Sequence, residues 1–317
     1  MHDMFAKYIR TDLAAEQYSV LETEYAKENR GIPDGIAYTS YRSGGIFCEE
    51  VEICNEKGAA LFGKPIGSYL TLYPEALDGL SREEMQRKVQ TLAVTLRKVA
   101  HKTAPHAKRI LVCGLGNRLL TADAIGPLTV DRLPATQHLA QEPEELYAPA
   151  LLSVLAPGVV AQTGIETSAL IQGAVRACNP ALVIVIDALA ARESKRLFRT
   201  IQLSNRGLAP GGGVGNTRRA VDQDSIGVPV MSVGVPTVID TATLLYDTLS
   251  AAKFSAASLE KENLTHLEDA FNQSQNLFIT PKDGDRLARL FSIFLAKGLT
   301  EAFSGACIKE LSTDLWV

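Results

Sequence analysis

Cysteine is scarce in this chain and forms no recognisable pattern. The 317 residues hold five, at Cys48, Cys54, Cys113, Cys178 and Cys307, an odd number without a CxxC pair. No disulfide framework is expected, and the thiols read as buried and reduced, as in a cytosolic protein. Cys48 and Cys54 stand six residues apart on one expected strand, too far along it to pair. No histidine neighbours any of them in sequence, so a cysteine nucleophile lacks an evident base. HExxH is missing too. His2, His101, His106, His138 and His266 all lie away from strand ends, which disfavours zinc. Positive charge is not in excess: 32 Lys and Arg against 36 Asp and Glu give a net charge of −4. Electrostatics therefore point to neither nucleic acid nor an anionic membrane as a partner. No apolar run approaches the ~18 residues of a membrane span. The first ten residues have no apolar h-region, so a secretory signal is not expected.

The composition, 46% hydrophobic and 21% charged, is that of an ordinary globular protein. Residues 1 to 35 read as polar and irregular. Ile36–Arg42 and Ile46–Cys54 around Ser43-Gly44-Gly45 form a hairpin pattern, and Ser68–Tyr73 a third strand. Connections this short make residues 36–73 a small antiparallel region. Ser81-Arg82-Glu83-Glu84 is a capping box, followed by Met85, Val89, Leu92, Leu96 and Val99 at helical spacing. From Arg109 onward strands and helices alternate. Thr163-Gly164-Ile165-Glu166 reads as a second capping box, Gly234-Val235-Pro236-Thr237 as a strand-to-helix turn, and Thr280-Pro281 as the cap of the last helix. The segment 253–276 is a polar excursion. The expected fold is α/β: a mostly parallel twisted sheet with helices on both faces, plus the antiparallel N-terminal strands.

Two aspartates carry the chemistry. Arg109–Gly114 is an apolar strand leading through Leu115-Gly116-Asn117 to Asp123, and Ala181–Ile186 runs straight into Asp187. In open parallel sheets, reactions gather beyond the carboxyl ends of the strands. If these strands are neighbours, two carboxylates share a rim, and such a pair can offer an acid and a base together. Either residue could instead cap a helix. Asn117 suits a side-chain-held turn. The glycines of Pro210–Asn216, with Gly213, Gly215 and Asn216 foremost, could lend N–H donors to an oxyanion, or form a surface linker. Gly114-Leu115-Gly116 begins a dinucleotide fingerprint, but Leu119 stands where its third glycine belongs. A nucleotide-binding module is therefore only an alternative reading.

The sequence resembles the germination proteases of endospore-forming bacteria. The likeness is carried by Gly114-Leu115-Gly116-Asn117 with Asp123-Ala124-Ile125-Gly126-Pro127, by Pro157-Gly158-Val159 with Thr163–Ser168, and by Ile186-Asp187-Ala188-Leu189-Ala190-Ala191-Arg192. It continues in Gly213–Asn216, Gly234–Val238 and Phe278–Lys282, so that it spans most of residues 8–300. The resemblance implies an endopeptidase that degrades small acid-soluble spore proteins in the spore core, a homotetramer, and a precursor that removes its own N-terminus. It places the essential acids at Asp123 and Asp187 and the processing cut between Asp12 and Leu13. Residues 1–12 are then a propeptide and 13–317 one peptidase domain. It implies no cofactor. The core also resembles hydrogenase maturation peptidases, whose corresponding acids bind metal, so a metal-dependent peptidase using the same two acids is the alternative. The excursion at 253–276 is shorter than in many relatives.

Overall fold

Gly44 and Gly45 have φ of +52° and +82°, the left-handed pair that lets a two-residue turn follow the twist of its strands. They join β1 (Ile36–Ser43) to β2 (Ile46–Ile53) in the expected register, Ser43 opposite Ile46. The computed structural model describes residues 9–29, 31–139, 150–208, 219–252, 261–274 and 277–304. The remaining elements are α1 (Ala14–Lys27), α2 (Glu56–Phe62), β3 (Gly67–Tyr73), α3 (Arg82–Thr103), β4 (Arg109–Gly114), α4 (Ile125–Val130), β5 (Leu151–Leu155), α5 (Val160–Thr163), α6 (Thr167–Cys178), β6 (Leu182–Ala191), β7 (Ile201–Ser204), α7 (Gln223–Ile226), β8 (Val230–Asp240), α8 (Thr241–Ala251), α9 (Lys261–Ser274), β9 (Phe278–Ile279) and α10 (Gly284–Phe303).

The described strands form one sheet in the order β1-β2-β3-β7-β8-β6-β4-β5, with β9 on the end of β8. The neighbours β8, β6, β4 and β5 run parallel; the other pairings are antiparallel. The N-terminal strands continue the same sheet through β7 rather than forming a layer of their own. Alternation splits β4 between two cores. Ile110 and Val112 face α3, α4 and α10; Leu111 and Cys113 face α6 and α7. Helices on both faces explain why β6 reads as an unbroken apolar run: Leu182–Ile186 are all buried.

The structure corrects several expectations. The stretch read as irregular contains helix α1, in which Ala14, Ala15, Glu16 and Tyr18 are buried and Ala14 and Tyr18 pack with Val51, Ile53 and Tyr69. Small alanines give a weak periodic signal, and packing on the sheet supplies the stability. Gly234–Thr237 starts no helix. β8 runs on to Asp240, carrying Pro236 beside a register shift against β6, and the Asp240 carboxylate caps α8 by accepting the Thr243 N–H at 3.0 Å. Thr163–Glu166 is not a capping box: Gly164 ends α5 in the left-handed region, and Glu166 precedes α6 without a side-chain cap. Thr280 is likewise not the cap of the last helix, because its hydroxyl donates to the Thr237 carbonyl at 2.9 Å and α10 starts at Gly284. The excursion is helical over α9, anchored by buried Phe271. Cys48 and Cys113 are buried and free, and burial pushes the Cys48 thiol up to about 11 and Cys113 higher still. Cys54, contrary to expectation, is exposed, just past the end of β2. Among the described residues no helix is long and apolar enough to cross a membrane.

Lys297 of α10 is 8% exposed, and desolvation, helped by the charge of Arg82, lowers its pKa from the ordinary 10.5 to about 8. Below about 8 the ammonium is charged in both states, and the fold carries the full cost of burying it. Stability therefore rises as pH climbs from about 8 toward 10.5. Lys297→Met is expected to stabilise the protein at neutral pH by about 1–2 kcal/mol, a figure discounted for solvent screening. Thermal melts should show that gain shrinking toward pH 10.5; a pH-independent gain would contradict this account of Lys297.

Candidate active site

The rim of the sheet at the carboxyl ends of β4 and β6 is built by a tight turn. Gly114 pairs with Ile186, and the Leu115 N–H donates to the Ile186 carbonyl at 2.8 Å, extending the ladder one step past β4. Gly116 then takes φ +108°, which turns the chain back over itself. The Asn117 side-chain oxygen accepts the Leu119 N–H at 3.0 Å, the side-chain-held turn its position suggests, and also the Gln162 amide at 2.8 Å. A 3-10 turn over Thr121–Asp123 follows. It is fastened to β8 by the Thr237 hydroxyl, which donates to the Ala122 carbonyl at 2.6 Å.

Asp123 caps no helix; α4 begins after Ala124 without a side-chain cap. Its Oδ2 instead accepts the Asn117 N–H at 2.8 Å, so the carboxylate folds back onto the turn after β4. Asp187 is not a cap either. It lies inside β6, opposite Gly234 of β8, because β6 runs five residues further than the rung it shares with Gly114. It is 5% exposed, and its Oδ1 accepts the Ala188 N–H at 3.0 Å. Asp187 therefore lies in β6, and Asp123 in the 3-10 turn that follows the neighbouring parallel strand β4. Gly126 shows how closely the start of α4 packs there: a Cβ on it would lie 2.6 Å from the Ile186 carbonyl oxygen. Gly213, Gly215 and Asn216 lie outside the described residues.

The N-terminal segment reaches the same rim. Although residues 1 to 35 read as polar and irregular, Leu13 is completely buried. The Asp12 N–H donates to the Ala190 carbonyl at 2.9 Å, and the Ala190 N–H donates to the Asp12 carboxylate at 2.8 Å. Gln202 of β7 grips both sides of the Asp12–Leu13 bond. Its Nε2 donates to the Asp12 carbonyl at 3.1 Å, and its Oε1 accepts the Ala14 N–H at 2.8 Å. The junction borders a cavity of about 320 Å³ lined by Asp12, Lys64, Tyr69, Leu189, Gln202 and Gly234. Buried Glu16 secures α1 behind it, accepting the Thr11 hydroxyl, the Arg192 and Glu193 N–H groups at 2.8 and 3.0 Å, and Arg196 at 3.1 Å. Burial raises the Glu16 pKa against these stabilising contacts. A larger cavity, about 430 Å³, lies beside α1, but its arginines are already bound, Arg192 to Asp247 at 2.8 Å and Arg196 to Glu16.

Among the described residues no three His, Cys, Asp or Glu side chains come together as a metal-binding group. Asp123 and Asp187 are the carboxylates that could offer oxygen ligands at the rim. His101 and His106 contact each other edge-on, 5.4 Å between ring centres, at the end of α3. Gln202 and Lys64 escaped sequence reasoning. Gln202 sits in a four-residue strand between Ile201 and Leu203, and only that alternation marks it as facing a different side from its neighbours.

A sequence profile described as germination protease matches residues 12–267. A germination protease of Caldanaerobacter subterraneus subsp. tengcongensis is 36% identical over 324 residues, covering 96% of this chain and 97% of that one. One from Clostridium perfringens is also 36% identical, with 95% and 97% covered. One from Bacillus pumilus is 42% identical over 262 residues, covering 78% and 68%. Among solved structures, a nickel–iron hydrogenase maturation protease from Thermococcus kodakarensis aligns with a TM-score of 0.33 and 15% identity, over 65% of this chain and 99% of that one. A likeness that low carries no argument about activity.

Proposed function

The chain belongs to the germination protease family, and on that premise we propose that it is a spore endopeptidase that hydrolyses small acid-soluble proteins with water activated between Asp123 and Asp187. One observation carries the reading. The Gly114–Ile186 rung, continued by Leu115, pairs the strand that leads to the Asp123 turn with the strand that carries Asp187, which supports a shared rim. One carboxylate takes a proton from water as the oxygen attacks the scissile carbonyl. The other, protonated, hydrogen-bonds the carbonyl oxygen, and the proton bookkeeping closes when the amine leaves protonated. Such a pair titrates as a unit, so the roles belong to the pair. No acyl-enzyme forms.

Residues 1–12 are read as a propeptide that the chain removes itself. Two observations support this: the Asp12–Leu13 bond is held at the rim, and Gln202 and Asp187 both sit opposite Gly234, on the strands either side of it. The family likeness also supports a homotetramer and the spore core as its compartment. The test is incubation of the full chain with a disordered, acid-soluble protein, followed by mass spectrometry of the fragments and of the chain's own N-terminus. Discrete internal cuts and loss of residues 1–12 are expected, with chelator leaving the rate unchanged. An intact substrate would contradict the reading. Activity lost in chelator and restored by one divalent ion would replace it with a metal-dependent peptidase using the same acids.

A further inference from the structure

We propose that Gln202 is a catalytic residue of the substrate cleft. In this role its amide donates to the carbonyl oxygen being attacked and fixes the backbone beyond the cut. The inference deepens the proposed function and rests on Asp12–Leu13 being a bond this enzyme cleaves and on Asp187 being a catalytic acid.

The geometry that carries it is a row across three strands. Gln202 of β7 pairs with Gly234 of β8, and Gly234 pairs with Asp187 of β6. Residues paired across a sheet project to the same face, so the Gln202 amide and the Asp187 carboxyl rise on either side of a residue with no side chain. Their Cα atoms are roughly 10 Å apart, two strand spacings. A Cβ on Gly234 would come within 2.3 Å of the Leu189 side chain, which packs over the glycine between the two polar groups.

The chain's own N-terminus shows how such a segment lies. Asp12 is anchored to Ala190 beyond Asp187 on one side and to Gln202 on the other, bridging the strands that flank β8. The Gln202 contacts involve only backbone: the carbonyl preceding the bond and the N–H of the second residue after it. Any polypeptide that turns as Leu13–Ala14 does presents the same two backbone groups, so the grip suits separate disordered polypeptides as well as the tethered one. An amide N–H placed on a carbonyl that becomes an oxyanion strengthens its bond as negative charge develops, which lowers the barrier. Gln202 is 8% exposed, and in such dry surroundings that bond gains further.

The side chain next to the cut is also read. The Asp12 carboxylate takes the Ala190 N–H, and the Lys64 ammonium faces it across the same cavity. Burial lowers the Lys64 pKa, and the Asp12 carboxylate opposes that shift by favouring the charged ammonium.

The decisive variant is Gln202→Glu, which keeps an oxygen for the N–H beyond the cut and loses the donor to the carbonyl. With enzyme already shortened to Leu13 and a separate disordered acid-soluble protein as substrate, kcat should fall about a hundredfold with KM changed less than about threefold. Unchanged kcat on the separate substrate, with only self-processing slowed, would reduce Gln202 to an anchor for the propeptide and overturn the proposal. A second measurement needs no variant. A peptide N-methylated at the second residue after the cut should be cleaved about tenfold more slowly by the unaltered enzyme, and an equal rate would count against the grip. Asp187→Asn, run in parallel, separates the two claims. If it is active, the underlying hydrolytic reading fails. If it is inactive while Gln202→Glu is fully active, only the present inference fails.

Discussion

Asp187→Asn is expected to remove proteolysis by about a thousandfold or more while the protein stays folded. The size follows from what the substitution takes away. Asparagine has the shape of aspartate and keeps an oxygen for the Ala188 N–H, so the strand and its pairing with Gly234 persist. It can neither accept the proton of water nor hold one for the carbonyl, and a general acid–base pair reduced to one member loses the cooperation of both. Asp123→Asn should behave alike, because an amide oxygen can still receive the Asn117 N–H. The readouts are kcat/KM on a disordered acid-soluble protein and a melting curve. A folded Asp187→Asn enzyme with normal turnover would remove this residue from the chemistry.

Gly116→Ala is the second large effect, and it acts through position alone. Gly116 sits at φ +108°, where an L-residue is strained, and a Cβ there would lie 2.1 Å from the Asp123 backbone oxygen and 2.8 Å from its Oδ1. The backbone contact cannot be relieved by rotating a side chain; the turn must open. We expect about 2–4 kcal/mol of lost stability from strain and displacement together. Activity should fall about a hundredfold, since a shift of ~1 Å in a catalytic group costs that much. Urea unfolding and steady-state kinetics on the same preparation check both. Unaltered kinetics in a destabilised variant would mean that the turn does not position Asp123.

What could be read from the sequence divides along physical lines. The hairpin at Gly44-Gly45 and the capped helix after Ser81 were legible because their signals are local: a glycine pair for left-handed φ, and a serine and glutamate three residues apart. The neighbouring strands β4 and β6 that lead to Asp123 and Asp187 were legible because both are apolar runs. The detailed places of the two aspartates were not. Asp187 proved to be inside β6, since a strand's end depends on which neighbour stops pairing first. The extension of β8 through Pro236 was hidden for a similar reason: a register shift against β6 accommodates a residue that normally interrupts strands. Helix α1 was hidden by its alanines, and with it the burial of the Asp12–Leu13 junction. Gln202 was the least visible. Its position opposite Gly234, with Asp187 on the far side, exists only once three strands from distant segments are laid side by side.

The dependence of kcat/KM on pH tests the central claim most directly, because an acid and a base working together leave a limb on each side of an optimum. Hydrolysis by the Asp123–Asp187 pair predicts a bell favoured by mild acidity, with the limbs belonging to the pair jointly. A profile that only climbs toward alkaline pH would mean that no shared proton is at work, and the two carboxylates would need another role.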